Sequence, residues 1–231
     1  MYENENPNPN SNPMATKVQM GPTFFGKVMT FFALAIFSSA VGVYVTMNYF
    51  MHYFVQMPQL IYVFFVLELA IIFTSRWWSQ KRPLNGILFA AFTLFTGITV
   101  APLIAVLAAS PGGSTILMQA LLATGMMFTA TAVIGWTTSF NLSGIRGFLV
   151  MGLIGMIIVG VMGIFIPWGN SFEIIYSGIG VLLFAGFTMY DMQKLKRYPE
   201  NMYLEAALSL YLDIFNLFLH ILRLIMALNR R

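Results

Sequence analysis

Four ionisable side chains stand inside long apolar runs of this sequence: Glu68, Asp191, Asp213 and Arg223. At membrane depth each would cost about 2.5–3.5 kcal/mol on insertion scales, so such residues face a partner, a cavity or a pathway. Asp191 and Asp213 lie in consecutive runs, one near the end of its run and the other about two turns into the next. If those runs are antiparallel neighbours, the carboxyls come within a few ångströms, share a proton and titrate as a pair. Arg76, expected at the same face, could hold the charged form and make a proton-sensitive latch. Taken alone, Asp191 reads as an interfacial residue beside the basic Lys194. As a metal site the pair would bind calcium weakly at most, because calcium takes six to eight oxygens.

The last apolar run carries more polar residues on one side. At 100° per residue, with Asp213 at zero, Ser209 falls at about −40°, Asn216 at about −60° and His220 at about −20°; Glu205 and Arg223 both fall at about −80°. Glu205 to Arg223 spans about 27 Å, close to the hydrocarbon thickness of a bilayer. A stripe of this kind cannot face lipid, so the helix is expected at the bundle centre. There it would serve as hydrogen-bonding glue or line a pathway, and the pattern fits both. Glu68 and Arg76, eight residues apart, are about 12 Å apart along a helix and line roughly one face without pairing directly. His52 falls in a loop, and His220 reads as a bundle residue rather than a metal ligand.

Enzymatic signatures are missing: no His-Glu-x-x-His, no Gly-x-Ser-x-Gly, no phosphate loop and no dinucleotide fingerprint. An intramembrane aspartyl protease would use two aspartates, but Asp213 stands in Leu210-Tyr211-Leu212-Asp213 and not after Gly-x-Gly. With no cysteine, thiolate metal sites and disulfides are excluded. The expectation is a protein that is not an enzyme and holds no cofactor, with Ca2+ only as a transported ion.

The elements that must position these residues follow from composition. Of 231 residues 58% are hydrophobic and 9% charged, against about 25% charged in an ordinary soluble domain. The mean hydropathy is +0.78. The lipid bilayer is the expected solvent, with room for about seven spans of roughly 20 residues. They read as 24–47, 60–75, 85–108, 115–138, 144–166, 173–191 and 205–228, joined by short loops punctuated by Pro, Gly, Asn and Ser. The fold class is all-α: a seven-transmembrane-helix bundle with a central, polar-striped C-terminal helix. Glycines at 144, 147, 152, 155, 160 and 163 predict close helix packing along the fifth span.

Residues 1–16, rich in Asn and Pro, read as a disordered N-terminal tail, and 17–231 as the membrane domain. Val28–Phe37 followed by Ser38-Ser39-Ala40 imitates a signal-peptide core, but the apolar run continues through Val45. The net charge of +4 does not point to nucleic acid, since the basic residues fall in loops. Lys17, Lys27, Arg76, Lys81, Arg82, Arg146, Lys194, Lys196 and Arg197 alternate with loops free of Lys and Arg, which places the N-terminus in the cytoplasm. Arg230 and Arg231 run against that pattern.

Two stretches carry a family resemblance. Gly180-Val181-Leu182-Leu183-Phe184-Ala185-Gly186-Phe187-Thr188-Met189-Tyr190-Asp191-Met192-Gln193 is followed by Ala206-Ala207-Leu208-Ser209-Leu210-Tyr211-Leu212-Asp213-Ile214-Phe215-Asn216-Leu217-Phe218-Leu219. The pairing of Tyr-Asp-x-Gln with Leu-Tyr-Leu-Asp-x-x-Asn-Leu-Phe resembles the Bax inhibitor-1 (transmembrane Bax-inhibitor-motif) family, and Thr138 to Leu149 resembles it too. The resemblance implies a seven-helix bundle around its last helix, and a pH-sensitive calcium leak gated by the aspartates at 191 and 213. Low pH is expected to break their link to a basic partner, with Arg76 as candidate, and Glu68 would match the family's acidic residue in the second span. The short end, Asn229-Arg230-Arg231, resembles bacterial inner-membrane members. Some of these modulate a membrane-embedded AAA protease, for which the N-terminal tail would be the handle. The expected function is therefore a pH-modulated calcium (cation) leak, with a non-conducting regulator of membrane protein quality control as the alternative.

Overall fold

The computed structural model describes residues 22–166 and 169–230. The tail expected at 1–16 lies outside the described residues. So do residues 17–21, Pro167 and Trp168 of the loop expected after the fifth span, and Arg231.

Every regular element among the described residues is helical. Helix α1 (Pro22–Val45) runs through a wider π-type turn at Thr46–Phe50 into α2 (Met51–Gln56). After Pro58 come α3 (Leu60–Phe73) and the single turn α4 (Ser75–Trp78), then α5 (Leu84–Ala109) and α6 (Gly113–Thr137). A 3-10 turn (Leu142–Ile145) leads into α7 (Arg146–Phe165). The chain closes with α8 (Asn170–Leu195) and α9 (Tyr203–Asn229), joined by a second 3-10 turn at Glu200–Met202. Six of these stretches are long and apolar enough to cross a membrane, from Thr23–Gln56 to Glu200–Asn229. The expected second span is shorter: α3 has 14 residues, about 21 Å of helix, and breaks at Thr74.

Much apolar surface points outward, as a bilayer solvent requires. Phe73 is 78% exposed, Phe148 73% and Leu182 71%. Inward packing relies on small residues, because lipid offers no hydrophobic drive between helices. Helices α1 and α5 touch backbone to backbone: a Cβ at Gly42 would meet the Leu94 carbonyl, and one at Gly97 the backbone of Ser39. The tight turn between α5 and α6 uses Gly112 at φ 73°, a left-handed conformation that glycine adopts freely.

Helix α9 packs against α8, α1, α6 and α5, with Ala206, Ala207 and Ala227 fully buried at the contacts. Helix α7 lies at the periphery and packs chiefly on α8. The expectation of close packing along its glycines holds at Gly152 and Gly160 and fails at Gly144, Gly147 and Gly155. A Cβ at Gly152 would meet Leu183 and one at Gly160 the Tyr176 hydroxyl, whereas Gly147 and Gly155 have open space around them. A helix with one main neighbour has only one face to bring close.

The two ends of the bundle differ in charge. At one end the Arg82 guanidinium donates to the Tyr203 hydroxyl at 3.0 Å, and Lys27 lies 5.8 Å from the centroid of the same ring. Phe25 meets Trp136 at 5.2 Å, and the Lys196 ammonium donates to the Trp136 carbonyl. Arg197 donates to Ser143 Oγ at 3.3 Å. The start of α1, the α4–α5 turn, the end of α6, the end of α8 and the start of α9 therefore meet at one basic end. At the opposite end Arg230 pairs with Glu173 at 2.7 Å, and Asn170 donates to the Ala227 carbonyl at 3.1 Å. Trp78 lies in the same buried cluster as Phe24, Leu195 and Leu204, so α3 and α4 return the chain to the basic end.

Candidate functional site

The two aspartates meet across the α8–α9 interface, the most extensive helix pairing in the molecule. Asp191 is 9% exposed and Asp213 4%. Each carboxyl lies in the field of nearby charges: Asp213 feels Asp191 across the interface, and Asp191 feels Lys194 on its own helix and Arg146 at the start of α7. One Asp213 oxygen, Oδ2, is buried without a hydrogen-bond partner. Asp191 was expected at the end of its span, but α8 continues a full turn to Leu195 and leaves it inside the helix. The sequence could not show this, because Lys194 and Gln193 look like a loop. In the structure Gln193 is 8% exposed and binds the α6–α7 connection: its Nε2 donates to the Phe140 carbonyl at 2.6 Å, and its Oε1 accepts from the Leu142 amide at 2.8 Å.

Arg76 is not among the charges that act on Asp191 or Asp213. It is exposed on α4, which packs on α3 and α5, and makes no ion pair or hydrogen bond among the described residues. The cations that act on Asp191 are Lys194, one turn along the same helix, and Arg146, at the start of α7. In the sequence both read as topology signals. Their role at the site was hidden because it depends on how far α8 extends and on where α7 begins.

Glu68 belongs to a separate polar group. Thr99 on α5 donates its hydroxyl to Glu68 Oε1, and one turn earlier Thr96 is hydrogen-bonded to the Tyr211 hydroxyl on α9. Tyr211 is 1% exposed and Thr96 2%. This group ties α3, α5 and α9 together at mid-bundle.

The remaining polar residues of α9 do not share one environment. Glu205 and Ser209 are half-buried near the basic end, Glu205 with an unpartnered oxygen and Ser209 beside the Tyr198 hydroxyl. Asn216 returns its amide to the Leu212 carbonyl of its own helix at 2.8 Å. His220 is 7% exposed, its ring 5.6 Å from those of Tyr176 and Phe184, with Nδ1 unpartnered. Arg223 is exposed into a cavity of about 340 Å³ at the end opposite the basic one. His52, expected in a loop, lies in α2, with its ring centroid 3.8 Å from that of Tyr53 and the planes tilted by 40°.

Among the described residues no cluster of three or more His, Cys, Asp or Glu side chains is gathered to hold a metal. The donor set at Asp191 and Asp213 is two carboxyls, one flanked by two cations. That suits a titrating pair better than a resident calcium ion.

Helical composition, six membrane-length apolar helices and buried charges define a polytopic integral membrane protein. Residues 21–231 match the family described as "Inhibitor of apoptosis-promoting Bax1", and the chain belongs to that family. Protein lifeguard 4 of Mus musculus is 30% identical over 228 residues, covering 94% of this chain and 90% of its own. An uncharacterized protein of Campylobacter jejuni is 27% identical over 210 residues, 90% of each chain. Bax inhibitor 1 of Schizosaccharomyces pombe is 26% identical over 175 residues, 75% of this chain and 64% of its own.

Proposed function

We propose that this protein is a pH-modulated calcium leak of the Bax inhibitor-1 type, in which Asp191 and Asp213 form the gate and no reaction is catalysed. The observation that carries the reading is the juxtaposition of two buried carboxyls between α8 and α9, one with an unpartnered oxygen. Two such groups titrate as a pair, so a change of pH near the bundle changes the charge of the contact. With the pair charged, Asp191 is attracted by Lys194 on its own helix and by Arg146, and the second attraction draws the end of α8 towards the start of α7. Protonation removes that attraction and frees the basic end to open, so flux rises as the pH falls. The ion is cargo, completed by water and backbone carbonyls as it passes.

In this reading α3 and α4 together make a seventh crossing, because they carry the chain between the two ends. The short helix is supplemented by the turn at Thr74 and by local thinning of the bilayer. The basic end then faces the cytoplasm, with the N-terminus, as positive-inside bias requires. The membrane is the bacterial cytoplasmic one, in keeping with the Campylobacter relative.

One observation favours the non-conducting alternative. The cavity at the far end carries Arg223 and Arg230 against one acid, Glu173, which opposes a standing cation pathway. A regulator that binds a membrane-embedded AAA protease would need no pathway. Calcium uptake into liposomes holding the purified chain, at pH 6, 7 and 8 and beside Asp213→Asn, separates the two readings. Protein-dependent flux that is lost or made pH-independent by the substitution supports the leak, and no flux above empty liposomes supports the regulator.

A further inference from the structure

The cavity at the Glu173–Arg230 end has a construction of its own. Its volume is about 340 Å³, and the lining includes Arg223, Arg230, Glu173, Tyr176 and Ser177 with Gly160 of α7. The charges do not cancel. Glu173 is committed to Arg230 at 2.7 Å, while Arg223 makes no ion pair or hydrogen bond among the described residues. Ser177 is 1% exposed, and its hydroxyl has no partner although it lines the cavity. Tyr176 is fixed by donating to the Met156 carbonyl at 2.9 Å, which holds the wall in place. Arg223 is about 15 Å along α9 from Asp213, so the cavity is a separate site from the carboxyl pair.

We propose that this cavity binds a phosphate-type anion, with Arg223 as the charged fork and Ser177 as a buried hydroxyl donor. A guanidinium presents paired N–H groups that match phosphate oxygens, and charge-assisted bonds of this kind are about twice as strong as neutral ones. A buried hydroxyl left without a partner is costly, and an anion oxygen would satisfy it. A cation is the wrong occupant, because the lining already carries one positive charge in excess. The anion has two possible carriers, a phospholipid headgroup or free phosphate. The flanks resemble a lipid-facing wall: Phe165 is 78% exposed, Ile175 60% and Ile179 52%, so acyl chains could lie along α7 and α8 beside the mouth. The proposal does not depend on ion conduction.

The test uses the full chain purified in non-ionic detergent. It is titrated with short-chain phosphatidylglycerol, with inorganic phosphate and with the matching diacylglycerol, and thermal unfolding and tryptophan fluorescence are followed. A saturable rise in Tm with phosphatidylglycerol, absent with diacylglycerol, is the expected result. Arg223→Gln should weaken that binding about tenfold or more, the loss expected for a charge-assisted contact. The same variant dependence with inorganic phosphate alone identifies the free anion as sufficient, and dependence on the lipid identifies the headgroup. If Arg223→Gln does not fold, Arg223→Lys and Ser177→Ala each should still weaken binding several-fold. No saturable response to either phosphate source, an equal response to diacylglycerol, or unchanged binding in the variants overturns the proposal.

Discussion

His220 on α9 occupies the space that a side chain at Gly180 on α8 would need: a Cβ at that position would meet the imidazole ring. The ring is also bracketed by Tyr176 and Phe184, each with its centroid 5.6 Å away, so it has no room to swing aside. Gly180→Ala is therefore expected to cost about 1–3 kcal/mol through overpacking. Thermal unfolding in detergent reads this, and the cost should fall when His220→Ala is added. A loss that is the same in both backgrounds would show that the two residues do not share the space.

A second glycine contact has a built-in control. Gly97 on α5 faces the Ser39 backbone of α1, whereas Gly86 near the start of α5 has nothing within 4 Å of its Cβ position. Gly97→Ala must push backbone against backbone, with no flexible side chain to give way. It is expected to lower Tm by several degrees, while Gly86→Ala leaves Tm unchanged or slightly higher, as removing a helical glycine does.

Much of this architecture was legible in the sequence, because bilayer spans are written as long apolar runs. The expected 85–108 is the helix Leu84–Ala109, and the expected 115–138 is Gly113–Thr137. Asp191 and Asp213 were legible as buried, since no lone carboxylate tolerates such a run. Three features were not. The end of α8 was hidden because Met192, Gln193 and Lys194 read as a polar exit, yet Gln193 is buried by its bonds to the Phe140–Leu142 connection. Arg76 was attractive by charge alone, but the cations that act on Asp191 are Lys194 and Arg146, while α4 packs on α3 and α5. The polar wedge expected on α9 is an angle, and an angle does not say which neighbour each residue meets. Asn216 satisfies its own helix and Arg223 opens into a cavity.

The Gln193 clamp gives a third prediction. Gln193→Leu keeps the volume and removes both bonds to the α6–α7 connection, leaving the Phe140 carbonyl and the Leu142 amide without their partner. The loss is expected to be about 1–3 kcal/mol. Hydrogen exchange at Leu142 should accelerate markedly while the amides in the middle of α8 stay protected. Unchanged exchange at Leu142 would mean that the clamp does not hold the connection.

Alkaline pH should act through Tyr198, which lies between α8 and α9 and is 5% exposed. Burial raises its phenol above the ordinary value of 10.0, against the opposing pull of Lys194, whose ammonium lies 4.6 Å from the ring centroid. The native state thus holds this proton more tightly than the unfolded chain does. Its stabilising contribution is complete below about pH 10 and is lost as the pH rises through the folded value. Tm followed from pH 8 to 11 should fall less steeply at the alkaline end in Tyr198→Phe than in the native chain.

If Asp191 and Asp213 form the gate, their charge state sets calcium flux across the membrane. Liposomes containing the purified chain, its Asp213→Asn variant or its Asp191→Asn variant are loaded with a calcium dye and assayed at pH 6, 7 and 8. Protein-dependent uptake in the native chain is expected to be greater at pH 6 than at pH 8. Either variant should give a flat response. Native uptake that matches empty liposomes at every pH, or an undiminished pH response in both variants, would contradict the gate.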